Sequence, residues 1–140
     1  MARFAIEHLS EDRLAEAWPI VQQSHSHANA DWWISEALAL IERGGGVLAA
    51  RGPDEAIHGV ATYRVARKAL LGRVLAIDTL ITFELSRRAP ARHALSEALA
   101  LLGHAFDCRS VVLPASRGRV ERTAKTLYGF PDLGPGPDIA

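Results

Sequence analysis

Asp78 is the one carboxylate in a run, Val74 to Phe83, that otherwise holds only apolar residues and threonines. A carboxyl group buried in such a strand loses hydration, which raises its pKa toward the range where it can take a proton from a nucleophile. The same residue could equally be a satisfied polar group bonded to Thr79 or to a neighbouring loop. Glu84, at the strand's end, is the second candidate base. Just beyond it, Arg87, Arg88, Arg92 and His93 surround Pro90 at the start of a helical pattern. The first turn of a helix carries unpaired N–H groups and a partial positive charge, so with three guanidinium groups beside it this segment could hold a phosphate. Taken alone, RRAPARH also reads as a well-started, solvated helix end.

A second polar cluster lies in QQSHSHAN, Gln22 to Asn29, followed by Asp31, Trp32 and Trp33. His25 and His27 do not have the spacing of a helical ligand pair, and no further cluster completes a shell, so the stretch reads as a polar loop and no metal is expected. Of the two adjacent tryptophans, one should enter the core while the other lies nearer a cleft or a subunit surface. Cys108 precedes a buried strand without an activating neighbour and reads as a small packing group. His58, Tyr63 and His104 read as ordinary strand or helix residues.

These residues must be positioned by the elements around them. Phe4 to Leu9 forms a short strand, and Ser10-Glu11-Asp12 opens a helix with Leu14, Ala17, Trp18 and Val21 on one face and Pro19 as a kink or stop. Asp31 caps a second helix with Ile34, Ala37, Leu38 and Ile41 inward, ended by Gly44-Gly45-Gly46. Val47 to Arg51 and Ile57 to Ala66 flank the turn Gly52-Pro53-Asp54 as an antiparallel hairpin. Val74 to Phe83, apolar on both faces, belongs at the sheet centre. From Pro90, the residues Leu95, Ala98, Leu99, Leu102 and Phe106 make the clearest helical stripe. Val111 to Leu113 is a short strand, Gly118 to Tyr128 a last helix, and PDLGPGPDIA a turn-rich, loosely held tail. The order is β-α-α-β-β-β-α-β-α: an α/β (α+β) domain with a mixed, mostly antiparallel sheet and helices on both faces.

Bulk properties narrow the classes. A chain of 140 residues, 49% of them apolar, fits one domain over residues 1–140. Sixteen basic and sixteen acidic residues cancel, so no overall field draws the chain to nucleic acid or to an anionic membrane, and any anion must be held locally. The arginine cluster also lacks the interleaved aromatics of a nucleic-acid site. One cysteine, no signal pattern and no apolar run long enough to span a bilayer point to the cytoplasm.

The element order, the stretch from Ile77 to Leu102 and the ending Leu127-Tyr128-Gly129-Phe130 together resemble the GNAT superfamily of acyl-CoA N-acyltransferases. The resemblance implies acetyl-CoA or another acyl-CoA as co-substrate and a small-molecule or peptide amine as acceptor. By it, the backbone of Ile81, Thr82 and Phe83 would contact the thioester and pantetheine. Arg87, Arg88, Ala89, Ala91, Arg92 and His93 would form the pyrophosphate loop. Asp78 or Glu84 would be the base, and Tyr128 would match the family's acid on the last helix, although the usual spacer before Gly-Phe is missing. His25, His27, Trp32 and Trp33 would line the acceptor site. The sequence departs from the family loop by placing Pro90 on its first glycine and Arg92 on its second; proline has no N–H to donate. Those departures and the short tail favour an alternative, a GNAT-fold module without catalysis that serves regulation or partner binding. The short tail leaves a sheet edge open or completed by a second subunit in a homodimer. The transferase reading requires that the bend before the helix is not plugged by its own side chains.

Overall fold

The computed structural model describes residues 3–84 and 87–113 and the backbone of Lys125–Gly129. Among the described residues, six strands form one sheet in the order β1-β2-β3-β4-β5-β6. They are β1 (Ala5–His8), β2 (Gly46–Arg51), β3 (Ile57–Lys68), β4 (Gly72–Thr82), β5 (Ser110–Leu113) and β6 (Lys125–Gly129). Every pairing is antiparallel except that of β4 with β5. Helix α3 (Pro90–Ala105) makes the crossover that a parallel pair requires.

The helices divide between the two faces as the apolar stripes dictate. Leu95 and Leu99 of α3 are fully buried against Leu48, Ala61, Tyr63, Leu75 and Ile77 of the sheet. On the other face, α1 (Trp18–Val21) and α2 (Ala30–Glu42) cover Val47, Ala49 and Val60 with Val21, Trp33 and Ala37. Cys108 is buried beneath α3 as a packing residue. Trp33 is the inward tryptophan, 3% exposed, and its indole N–H donates to the Leu14 carbonyl at 2.7 Å.

Three local expectations change. Glu11–Ala17 is 3-10 helix, and the α-helical turn begins only at Trp18, with Pro19 in the first turn, where its missing N–H costs nothing. The cap of α2 is Asn29, whose side chain accepts from the Trp32 amide at 2.8 Å, while Asp31 falls inside the first turn. Lys125–Gly129, expected as the end of a last helix, is instead strand β6, antiparallel to β5 through Val111↔Tyr128 and Ser110↔Gly129. Its threonine, leucine and tyrosine suit a pleated edge, and pairing satisfies the outer backbone groups of β5. The rest of that expected helix and the tail from Phe130 lie outside the described residues. Among the described residues no helix is long and apolar enough to cross a membrane.

Candidate active site

The site is organised by what happens to β4 halfway along its length. Its pairing with β5 runs only from Val74↔Ser110 to Ala76↔Val112, while its pairing with β3 continues to Gly59↔Thr82. From Ile77 to Thr82, the β5-facing edge of β4 therefore has no strand beside it among the described residues. A bulge lies in the same place: Thr62 pairs with Thr79 and Tyr63 with Ile77, so Asp78 is an extra residue.

The bulge sets which groups face where. The Phe83 amide donates to the His58 carbonyl of β3 at 2.8 Å. In an antiparallel ladder the backbone groups alternate between the two neighbours, so Ile81 also faces β3 while Leu80 and Thr82 turn their N–H and C=O toward the unpaired edge. Of the three residues expected to offer amides there, only Thr82 does so, and Leu80 joins it. Side chains switch phase at the same point. Leu75, Ile77 and Leu80 pack on the α3 side and Ile81 on the α2 side, while Asp78 and Thr79 both line a cavity on the α2 side.

That cavity, about 420 Å³, is walled by α1, α2, β3 and β4 and brings together His25, Trp32, Trp33 and Asp78. A neighbouring cavity of about 670 Å³ shares His25 and Trp32 and adds His27, Ser24, Ser26 and Asn29. The His25 and Trp32 rings lie 4.9 Å apart at the junction, and Trp32 is 37% exposed. Asp78 is not buried as the sequence implied. Its side chain is 40% exposed and bonded to the Arg64 Nε at 3.2 Å, because the bulge lifts it out of the apolar alternation. Glu36, Arg43, Thr62, Arg64 and Thr79 add the rest of the polar lining, none of them singled out from sequence as site residues. Arg64 lies within β3 with no motif around it. Glu36 and Arg43, seven apart on one helical face, were the signal available.

At the other end of this stretch, Arg87, Arg88, Ala89, Arg92, His93 and Ser96 line a cavity of about 330 Å³. Five of them are residues assigned to the anion loop by resemblance. Ala89 adopts a left-handed conformation, φ 49° and ψ 59°, and Pro90 opens α3. The helix N-terminus is not bare. The Glu84 carboxylate accepts from the Arg92 amide at 2.8 Å and, at 3.4 Å, from the Ala91 amide. With Pro90 lacking an N–H and His93 already bonded to the Ala89 carbonyl, the first-turn donors are all occupied. Glu84, considered as a base, serves here as the cap that the alanine at the N-cap cannot provide. Tyr128 lies on β6 opposite Val111, on the far side of β5 from β4. Among the described residues, no group of three or more histidine, cysteine or acidic side chains is arranged to hold a metal ion.

No protein-family model matches the chain, and no curated protein matches it. Solved structures do resemble it. The aminoglycoside N-acetyltransferase AAC(6')-Iy in complex with CoA superposes with a TM-score of 0.72 at 14% identity, covering 84% of this chain and 80% of that one. The ribosomal-protein-alanine N-acetyltransferase from Brucella melitensis gives 0.65 at 22% identity, covering 83% and 82%. A transcriptional regulator from Bacillus halodurans gives 0.68 at 12% identity, covering 84% and 85%. The chain has the GNAT fold, a mixed α/β domain with a mostly antiparallel sheet. At these identities the likeness establishes the fold, while activity rests on the site.

Proposed function

We propose that this chain is an acyl-CoA-dependent N-acyltransferase that moves an acyl group, acetyl in the simplest case, to a primary amine of a small molecule or peptide. The observation that carries the reading is the edge of β4 that has no strand beside it among the described residues, which presents the backbone of Leu80 and Thr82 and runs directly into the arginine-lined bend before α3. A strand advances ~3.3 Å per residue, so the five steps from Thr79 to Glu84 span ~16 Å. That length suits an extended acyl-pantetheine arm. Its carbonyl would lie near the Leu80 and Thr82 amides, and its phosphates near Arg87, Arg88 and Arg92.

The acceptor amine enters from the α2 side and attacks the thioester carbon, forming the C–N bond as the C–S bond breaks. Asp78 draws in the amine's charge and passes its proton to solvent, while the Leu80 and Thr82 amides stabilise the oxyanion. The thiolate is protonated from solvent, because Tyr128, the expected acid, belongs to a strand beyond β5. Asp78→Asn should lower turnover and leave CoA affinity unchanged.

A second reading is a GNAT-fold module without catalysis, and one observation favours it: Glu84, a side chain of the bend itself, plugs the amides that would hold a diphosphate, so the transferase reading now requires bound phosphates to displace it. Calorimetry with CoA, together with thiol release from acetyl-CoA over an amine panel, separates the two. Binding and thiol release support the transferase. Binding without release supports the module, and no heat at millimolar CoA for either the wild type or Glu84→Ala removes the acyl-CoA site altogether.

A further inference from the structure

The cavity between α2 and the sheet is lined by charges of both signs. Glu36 and Arg43 stand on one face of α2, and Arg64 and Asp78 face them from β3 and β4. Arg64 uses its Nε on Asp78, and the bond involves neither of its terminal amino groups. Arg43 makes no ion pair among the described residues. A guanidinium has five donors in a planar fork, so this lining has unused, carboxylate-matching N–H groups beside two carboxylates. Between them lies an apolar floor of Trp33, Ala37 and Leu40.

A simple monoamine would satisfy the carboxylates but leave the two guanidinium groups facing its neutral body. A polycation would be repelled by those same arginines, and an internal peptide amine brings no carboxylate of its own to them. Only a compact molecule with both charges and an apolar side group matches the whole lining. Resting on the reading of this cavity as the acceptor side, we propose that the acceptor is a zwitterionic amino acid. Arg43 and the free amino groups of Arg64 hold its carboxylate, its ammonium faces Asp78, and its side chain lies over Trp33 and Leu40 toward the Trp32 and His25 rings.

Direct calorimetry on the full chain, without acyl-CoA, tests this with phenylalanine and leucine against phenylalaninamide, phenethylamine and isoamylamine. The expected result is that an amino acid binds at least about fivefold tighter than its amide or its decarboxylated amine, the scale of a charged hydrogen bond at a partly exposed site. Arg43→Ala, at a helix end where it bonds no other side chain among the described residues, should weaken the amino acid about three- to tenfold and leave phenethylamine within about twofold, which also verifies folding. Phenethylamine binding as tightly as phenylalanine, or neither amino acid binding at about ten times the millimolar range of a weak site, overturns the proposal. Thiol release from acetyl-CoA is read separately. Amino-acid binding with no release sustains the zwitterion site and overturns the transferase reading. Release with phenethylamine but not with the amino acids does the reverse.

Discussion

Glu84→Ala should make the free protein less stable and its grip on CoA tighter. The carboxylate accepts one short amide bond, from Arg92 at 2.8 Å, and one long one, from Ala91 at 3.4 Å, at the positive end of a sixteen-residue helix. Losing a helix cap costs about 1 kcal/mol, and losing a negative charge at the N-terminus adds a few tenths, for a total of about 1–2 kcal/mol. For a chain of this size the melting temperature should fall by about 3–6 °C. A diphosphate that uses the same amides must first displace Glu84, so the variant is spared that cost and should bind CoA about 5- to 30-fold more tightly. Glu84→Gln, which keeps an acceptor but not the charge, should fall between. Thermal melts with and without CoA, with calorimetry for the affinities, read both effects on one sample. A variant that melts lower yet binds CoA no better would show that the ligand does not use the α3 amides. An unchanged melt would show that the carboxylate does not cap the helix in solution.

Other outcomes follow from the packing and the buried groups. Trp33→Phe leaves the Leu14 carbonyl without its donor in a buried site and should cost about 1–3 kcal/mol in urea unfolding; an unchanged midpoint contradicts the contact. Gly45→Ala would drive a methyl group into the Tyr63 backbone oxygen, so the backbone there must shift and expression or stability should drop by more than the ~1 kcal/mol of an average substitution. Burial pushes the Cys108 thiol and the Tyr63 phenol above their ordinary values of 9.0 and 10.0. The unfolded chain then releases these protons before the folded one does, so their contribution is intact below about pH 9 and declines as pH rises through the folded values. Unfolding midpoints that stay flat from pH 8 to 11 would refute this, as would rapid alkylation of Cys108 in the native state.

Periodicity was informative wherever one face of an element was buried. The Leu95 and Leu99 stripe of α3, the glycines that end α2 and the β2–β3 hairpin were all visible, because apolar spacing and turn chemistry are local properties. The arginine bend was visible too, as a cluster of types near Pro90. What sequence could not supply were relations between elements. Asp78 reads as buried while β4 is assumed regular, and only the register against Thr62 and Tyr63 reveals the extra residue that exposes it. Glu84 reads as a strand-end acid because its partners, the amides of Ala91 and Arg92, carry no sequence signature. The polar lining of the α2 cavity comes from three separate elements, so Glu36, Arg43 and Arg64 share nothing until the chain folds. Lys125–Gly129 has mixed propensity, and the exposed outer edge of β5 decides it.

The single surplus residue in β4 works as a parity switch for everything downstream of it. Were Asp78 to pair with Thr62 and the ladder run on in plain alternation, every position from Thr79 onward would turn over: Leu80 would leave the α3 side, and the amides now offered to the gap would be spent on β3 instead. A chain of the same length that lacked the bulge would therefore keep the outline of the sheet while presenting the opposite groups at its parted edge.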